Sequence, residues 1–449
     1  MRGGAQGNVN HFLRNDHRSV IKTKIPPSST LSNSQPIKVK ATSNSRTAEI
    51  NPARLLYNLI FILYTSTANM GCGHSTTAQL QKQPVFKSDE AARHVYRIPA
   101  LLYKEESKTL FAFAEQRKTS KDESAEKLVM RTGKVKEGSS EKTMVEWSKL
   151  KQLEKALIDG YRPMNPCPVY DKVNNKRFLF FICVKDGITE HDQIENYDNR
   201  THLCYITSED LGETWSDVID LTNELSEIQN WATFAVGPGH GIQTESGRLI
   251  IPVYAYTGIK PNSKPYALSL YSDSHGENWK FGELFNTVSV ECEMAELSED
   301  HIYCNARNVG GYQVEAVSDD NEVKFNNLQP GNKLVETGSG CQGSVISFPA
   351  QQESANTKSE PSHNLEKWLL FTHPTSLTDR VELGVYLNKS PRDPKAWSEP
   401  YIINKGPSGY SDLAYIGAGW FACLFECGQQ EIHEQIASVV FSYKDITKK

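Results

Sequence analysis

The sequence predicts an all-β fold built as a closed repeat, and three observations carry that prediction. Short apolar or alternating runs recur from about residue 86 onward, among them residues 109–114, 177–182, 248–254 and 368–372. Such runs mark strands, and long helical periodicity is scarce between them. Gly, Asp, Asn and Pro punctuate the runs at fairly even spacing, as in all-β repeat architectures. The third observation is a turn, Ser208-Glu209-Asp210-Leu211-Gly212-Glu213-Thr214-Trp215, that reads S-x-D-x-G-x-T-W.

That turn recurs in altered form. Ser272-Asp273-Ser274-His275-Gly276-Glu277-Asn278-Trp279 has Ser in place of Asp and Asn in place of Thr. Ser318-Asp319-Asp320-Asn321-Glu322 keeps Ser and Asp, loses the Gly and ends near Phe325. The spacing is on the order of one propeller blade, roughly 40–60 residues. The chemistry is that of a hairpin turn: the Asp accepts backbone N–H groups, the Gly supplies positive φ, and the Trp packs back between sheets. One helix is expected, over residues 150–158, from amphipathic spacing. Residues 351–366 are polar and aperiodic and read as a surface loop.

Composition narrows the function classes. With 449 residues and 38% hydrophobic content the chain can bury a large core. A formal net charge of -5 leaves no nucleic-acid footprint. The nine cysteines are odd in number, and several sit in apolar runs such as Phe181-Ile182-Cys183. They read as buried free thiols of a reducing compartment. No Cys-x-x-Cys pair exists, so no structural zinc site is expected, and no other metal or cofactor is called for. The sequons at Asn199 and Asn388 read as chance tripeptides.

Residues 1–54 are rich in Ser, Asn and Pro and carry nine Lys/Arg against Asp16 and Glu49, a composition that favours disorder. The apolar run at 55–64 is too short for a membrane-spanning helix, which needs roughly 20 residues. Met70-Gly71-Cys72-Gly73-His74-Ser75 would read as a myristoylation signal if translation began at Met70, with Cys72 beside Gly71 for palmitoylation. Two acyl chains give stable membrane attachment; a chance hexapeptide in a flexible leader is the alternative. The boundary between leader (1–85) and main body (86–449) is set where the strand pattern begins.

The turns, with Tyr96-Arg97-Ile98-Pro99 upstream, resemble the sialidase (neuraminidase) family, and the match runs from about residue 86 to the carboxyl terminus. The resemblance implies a six-bladed β-propeller, a count not obtained from the strands. It also implies that Arg97, Arg307 and Arg380 grip the carboxylate on the anomeric carbon of sialic acid. Guanidinium groups suit that task because they stay charged and bind carboxylates bidentately. Glu426, in an apolar strand, matches the acid that orients the first arginine.

Tyr410 matches the nucleophile and Glu291 its base, with Glu293 as the rival at spacing two. A neutral phenol avoids the repulsion that the substrate's carboxylate would impose on an anionic nucleophile. Asp122 matches the acid/base catalyst, with Glu123 as the rival. Arg117, Met164, Asn165, Glu190, Tyr254, Tyr256 and Gln342 match positions lining the sugar's N-acyl, hydroxyl and glycerol groups.

Trp231-Ala232-Thr233-Phe234-Ala235-Val236 and Leu424-Phe425-Glu426-Cys427-Gly428 look most like the plasma-membrane branch of animal sialidases. That implies exo-hydrolysis of terminal sialic acid from glycolipid or glycoprotein, gangliosides foremost, at a membrane surface. The cytosolic branch, a sialic-acid-binding propeller without turnover, and transfer of sialic acid to acceptor sugars are the alternatives.

Overall fold

Strand β1 (Gln83–Lys87) begins ahead of the boundary read at residue 86 and is held in reserve for the far end of the chain. The next four strands, β2 (Val95–Lys104), β3 (Thr109–Arg117), β4 (Ala125–Glu137) and β5 (Thr143–Trp147), form an antiparallel sheet in chain order, with β6 (Lys151–Gln152) also on β4. β7 (Tyr161–Asp171), β8 (Lys176–Lys185), β9 (Thr201–Ser208) and β10 (Ile219–Asp220) repeat the pattern. So do β11 (Thr233–Val236), β13 (Leu249–Thr257), β14 (Lys264–Ser272) and β15 (Lys280–Phe281), with β12 (Ile242–Gln243) added to β13. A fourth sheet holds β16 (Cys292–Ser298), β17 (His301–Ala306), β18 (Val314–Ser318) and β19 (Asn326–Asn327).

The remaining strands are β20 (Ser344–Pro349), β21 (Lys367–Pro374), β22 (Val381–Asn388), β23 (Tyr401–Gly417), β24 (Trp420–Cys427) and β25 (Gln435–Ser442). They join β1 in one seven-stranded sheet ordered β1-β25-β24-β23-β22-β21-β20. Its hinge is β23, whose first half pairs with β22 (Leu383 opposite Asn404) and whose second half pairs with β24 (Ser411 opposite Phe425).

These strands belong to a computed structural model that describes residues 80–137, 143–260, 262–298, 301–308, 311–318, 324–328, 331–351 and 367–448. Residues 1–79 of the leader, with Gly71 and Cys72, the third turn beyond Ser318 and most of the 351–366 loop lie outside the described residues.

Packing runs from β2 to β7, β7 to β11, β13 to β16, β16 to β20, β20 to β23 and β23 back to β2. The sheets therefore close around an axis in a β-propeller-like arrangement, and the core lies between neighbouring sheets. Phe111 and Phe113 of β3 share one cluster with Leu179 and Phe181 of β8. Each fully buried Phe contributes on the order of 1.5–3 kcal/mol.

The turn repeats staple these interfaces. Asp210 accepts from the Thr214 N–H at 2.9 Å, Ser208 Oγ accepts from Gly212 N at 3.1 Å, and Gly212 sits at φ 79°. Hydrogen bonds from the Thr214 hydroxyl and backbone pull the Asp210 carboxyl down to about 2. In the altered copy Ser274 Oγ takes over the Asp's task, accepting from Asn278 N at 2.9 Å. Each Trp crosses to the preceding sheet: Trp215 meets Phe113 edge-on, and Trp279 meets Phe180 at 4.7 Å.

The helix expected at 150–158 is not formed. Lys151 and Gln152 pair with Met130 and Val129, and Leu153 N donates to Leu128 O at 2.9 Å. Leu153 and Ala156 are buried from the segment that follows β6, an irregular residue and a turn. The eight cysteines among the described residues are free and buried, as their apolar settings predicted. Among the described residues no helix is long and apolar enough to cross a membrane.

Candidate active site

The inner strands converge on a cavity of about 680 Å³ at one end of the axis. Lining it are Arg97, Arg117, Asp122, Met164, Asn165, Glu190, Tyr254, Tyr256, Glu291, Arg307, Arg380 and Tyr410, all singled out from the sequence. Gln342 is not among them. It is fully buried below the floor, where its Oε1 accepts from Ser411 N at 3.1 Å and its Nε2 donates to Pro238 O. Of the two rivals, Glu123 reaches the cavity and Glu293 does not.

Local backbone explains how residues distant in sequence meet. Arg97 precedes a bulge in β2, where Ile98 takes φ 57° and its N–H donates to Glu426 Oε1 at 3.0 Å. The same oxygen accepts from Arg97 Nε at 2.6 Å, and the other accepts from Tyr410 N at 3.2 Å. Burial pushes the Glu426 carboxyl up, but the Arg97 charge and these donors outweigh it and hold the group below the usual range. Glu426 thus lies behind the cavity and fixes two of its residues at once.

Glu291 and Arg307 are cross-strand neighbours: Arg307 N donates to Glu291 O at 2.8 Å, and Val290 N donates to Arg307 O. Their side chains pair as well, Arg307 Nη1 to Glu291 Oε2 at 2.7 Å. The Tyr410 hydroxyl donates to Glu291 Oε1 and also accepts from Arg307 Nη1 at 2.9 Å. Burial, followed by the Glu291 charge, pushes the Tyr410 phenol well above its ordinary value, so it is neutral in the free site. Arg97 and Arg380 flank its ring at 5.8 and 5.2 Å. Arg380 donates to Gly340 O at 2.7 Å, Arg307 to Ser339 O at 2.9 Å, and Ser408 N ties the Arg380 carbonyl to β23.

The opposite wall is acidic. Asp122 sits in a short 3-10 turn after β3, exposed at the rim, and pairs with Arg117. Partial withdrawal from water raises its carboxyl, yet Arg117 wins and the net shift is downward. Glu190 opens a helix over Glu190–Asn196 that Thr189 caps. Its carboxylate is exposed to the cavity, but the recess, then the charges of Glu291 and Asp122, push it up to about 7. Tyr254 donates to it at 3.3 Å.

Three contributors escaped sequence reasoning. Glu115 is fully buried, holds Arg117 Nε at 2.7 Å and accepts from Asn165 N at 2.7 Å. Its signal was present: Glu-x-Arg at spacing two on one strand places both side chains on one face. Arg162 lines the cavity, with its guanidinium spent on the carbonyls of Lys185 and Ile188. Cys341 packs with Ile98 and Tyr410 under the arginines, and nothing in its local sequence marked it.

Three basic groups facing a tyrosine–carboxylate pair can seat a small anion and offer a nucleophile to it. Residues 108–423 match the family model described as BNR repeat-like domain. The chain is 43% identical over 402 residues to Sialidase-3 of Bos taurus, covering 81% of this chain and 93% of that protein. It is 42% identical over 384 residues to Sialidase-2 of Mus musculus, covering 82% and 97%. In fold it resembles the Hadza microbial sialidase Hz136, with TM-score 0.66 at 20% identity, 82% of this chain and 69% of that one. It also resembles the intramolecular trans-sialidase from Ruminococcus gnavus, with TM-score 0.61 at 17% identity, 82% and 98% covered.

Fold and relatives define the class first: a BNR-repeat propeller enzyme, a glycoside hydrolase. Within that class, the chain belongs to the animal sialidase family.

Proposed function

We propose that the protein is a retaining exo-α-sialidase that removes terminal sialic acid from glycoconjugates, gangliosides at a membrane surface foremost. The observation that carries this reading is the Tyr410 hydroxyl donating to Glu291 with Arg307 against both. Arg97, Arg307 and Arg380 take the substrate's carboxylate, which seats the anomeric carbon over Tyr410. Glu291 accepts the phenol proton as the oxygen attacks. Negative charge passes from the carboxylate toward the attacking phenol oxygen beside Arg307 and is spent as the C–O bond forms and the glycosidic bond breaks, so little electrostatic reorganisation is needed.

Asp122 protonates the leaving oxygen and then activates the water that releases the tyrosyl–sugar intermediate; two inversions retain configuration. Asp122 is paired with Arg117 in the free site, and its proton is best supported once the anionic substrate and lost water raise its affinity for one. Glu190, Tyr254 and Tyr256 contact the sugar's substituents. The propeller is counted as six-bladed by taking the seven-stranded sheet as two blades that share β23. It starts at Gln83, with the preceding residues as leader and Gly71 and Cys72 as its acylation sites.

The membrane branch rests on the sequence segments at 231–236 and 424–428. Identity alone weighs Sialidase-3 and Sialidase-2 almost equally. The test is release of the aryl group from an aryl sialoside by wild type and Tyr410→Phe, with the released sugar's anomer followed by NMR. Absence of wild-type turnover, or full activity in the variant, rejects the mechanism. Ganglioside in vesicles against a soluble sialoside then separates the membrane preference from a cytosolic-type one.

A further inference from the structure

Tyr410 and Glu291 meet across a gap that no β-ladder spans. Glu291 leads into β16, which pairs only with β17, whereas β23 pairs with β22 and β24. Two residues further along each chain, on the same face, lie Glu293 and Asp412, both fully buried. We propose that Glu293, Asp412 and His240 are positioning residues that hold the Tyr410–Glu291 pair in register from one layer beneath it. The inference rests on the sialidase reading above.

The contacts form one network. Ser344 Oγ, from β20, lies 2.8 Å from Glu293 Oε2 and 3.0 Å from Asp412 Oδ1, and it accepts from Leu413 N. Val345 N donates to Glu293 Oε2 at 2.9 Å. Gln342 spans the two strands directly, its Nε2 reaching Glu293 Oε1 at 3.3 Å while its Oε1 holds Ser411 N. Leu101 N, on the strand that carries Arg97, donates to Asp412 Oδ2 at 2.6 Å. His240 Nδ1 lies 2.7 Å from Asp412 Oδ1 and 3.8 Å from Glu293. The backbone closes on the cluster too: a Cβ at Gly239, where φ is 107°, would fall 1.5 Å from Glu293 Oε1.

Two carboxyls so placed do not both ionise. Burial, then the Asp412 charge, pushes Glu293 well up, so it is the neutral partner. The thiols of Cys167 and Cys423, which also face the pair, are pushed up by burial and remain neutral. Every carboxylate oxygen in the cluster already has a protein donor, so the network is complete through hydrogen bonds. Its opening to water is a separate cavity of about 180 Å³ lined by His240, Leu101, Met294 and Leu413, which shares no residue with the site.

The test measures kcat, KM, melting temperature and Kd for an unsaturated sialic-acid analogue. Asp412→Asn is expected to lower kcat by tenfold or more while KM and Kd stay within threefold. Glu293→Gln, which keeps a neutral donor and acceptor, is expected to be at least tenfold more active than Glu293→Ala. Ser344→Ala, a milder change that removes only the bridging hydroxyl, is expected to lower kcat several-fold at nearly unchanged melting temperature. Wild-type kcat in Asp412→Asn and Ser344→Ala overturns the proposal. So does a parallel loss of kcat, Kd and melting temperature across the series, because that is damage to the fold alone. A wild type without turnover overturns the sialidase reading and this inference together, whereas an active wild type with unaffected variants overturns only this one.

Discussion

Glu291 presents one oxygen to the Tyr410 hydroxyl and the other to Arg307 at 2.7 Å, so a single carboxylate joins the cavity's phenol to one of its cations. The phenol is neutral because of its burial, and its proton has one acceptor carboxylate within reach. Arg307 and Arg380 work against that burial: their charges favour the phenol oxygen once it gives up its proton.

Tyr410→Phe removes the oxygen that the proposed mechanism bonds to the anomeric carbon, while leaving the arginines in place. Turnover of an aryl sialoside should fall on the order of 10³-fold or more, about 4 kcal/mol in barrier. Binding of an unsaturated sialic-acid analogue, measured by calorimetry, should change by less than tenfold.

Arg380→Ala should show the opposite pattern. A charge-assisted hydrogen bond is worth about 1.5–3 kcal/mol, and Arg380 keeps part of its guanidinium free for a ligand. Kd for the same analogue should therefore rise roughly 10- to 100-fold. Unchanged affinity would remove Arg380 from the carboxylate site.

Glu190 titrates near neutrality, at about 7. Above that value it adds negative charge to a cavity proposed to take an anionic sugar, so KM for the wild type should rise as pH passes through about 7. In Glu190→Gln the rise should disappear. A KM profile of the same shape in both proteins would exclude Glu190 as its source.

Glu315 offers a stability test away from the site. It accepts from Trp397 Nε1 at 2.8 Å and Tyr303 OH at 2.7 Å, and burial pushes its carboxyl up to about 7 from an ordinary 4.5. A raised folded value means its contribution is full below about 4.5 and lost as pH rises through about 7. Glu315→Gln keeps an oxygen for both donors and cannot ionise. It should be more stable than wild type at pH 8, by on the order of 1–3 kcal/mol, and close to it at pH 4. Urea unfolding at the two pH values checks this.

Much of the cavity's lining was legible in the sequence because its members sit in short, distinctive peptides, as Arg97 does in Tyr-Arg-Ile-Pro. Gln342 shows the limit: a matched position says nothing about which way an amide turns, and this one turns into the core. Glu115 sits at spacing two from Arg117, which puts both on one strand face, but the spacing alone does not show that Glu115 is fully buried and holds the Arg117 guanidinium. The error at 150–158 has another cause. Residues 150–158 have helical spacing, but the edge of β4 offered Lys151, Gln152 and Leu153 a backbone partner that a helix would have refused. The length of β23 was also unreadable, since its change of partner midway depends on strands on either side.

The pairing of β1 with β25 sets a constraint on biosynthesis. Gln83–Lys87 leaves the ribosome before every other strand described, and its partner, Gln435–Ser442, leaves last. The earliest of the described strands must wait, unpaired, until the last of them has emerged. The final blade is therefore the step at which a nascent chain is most open to chaperone capture or to pairing with a neighbouring polysome's product.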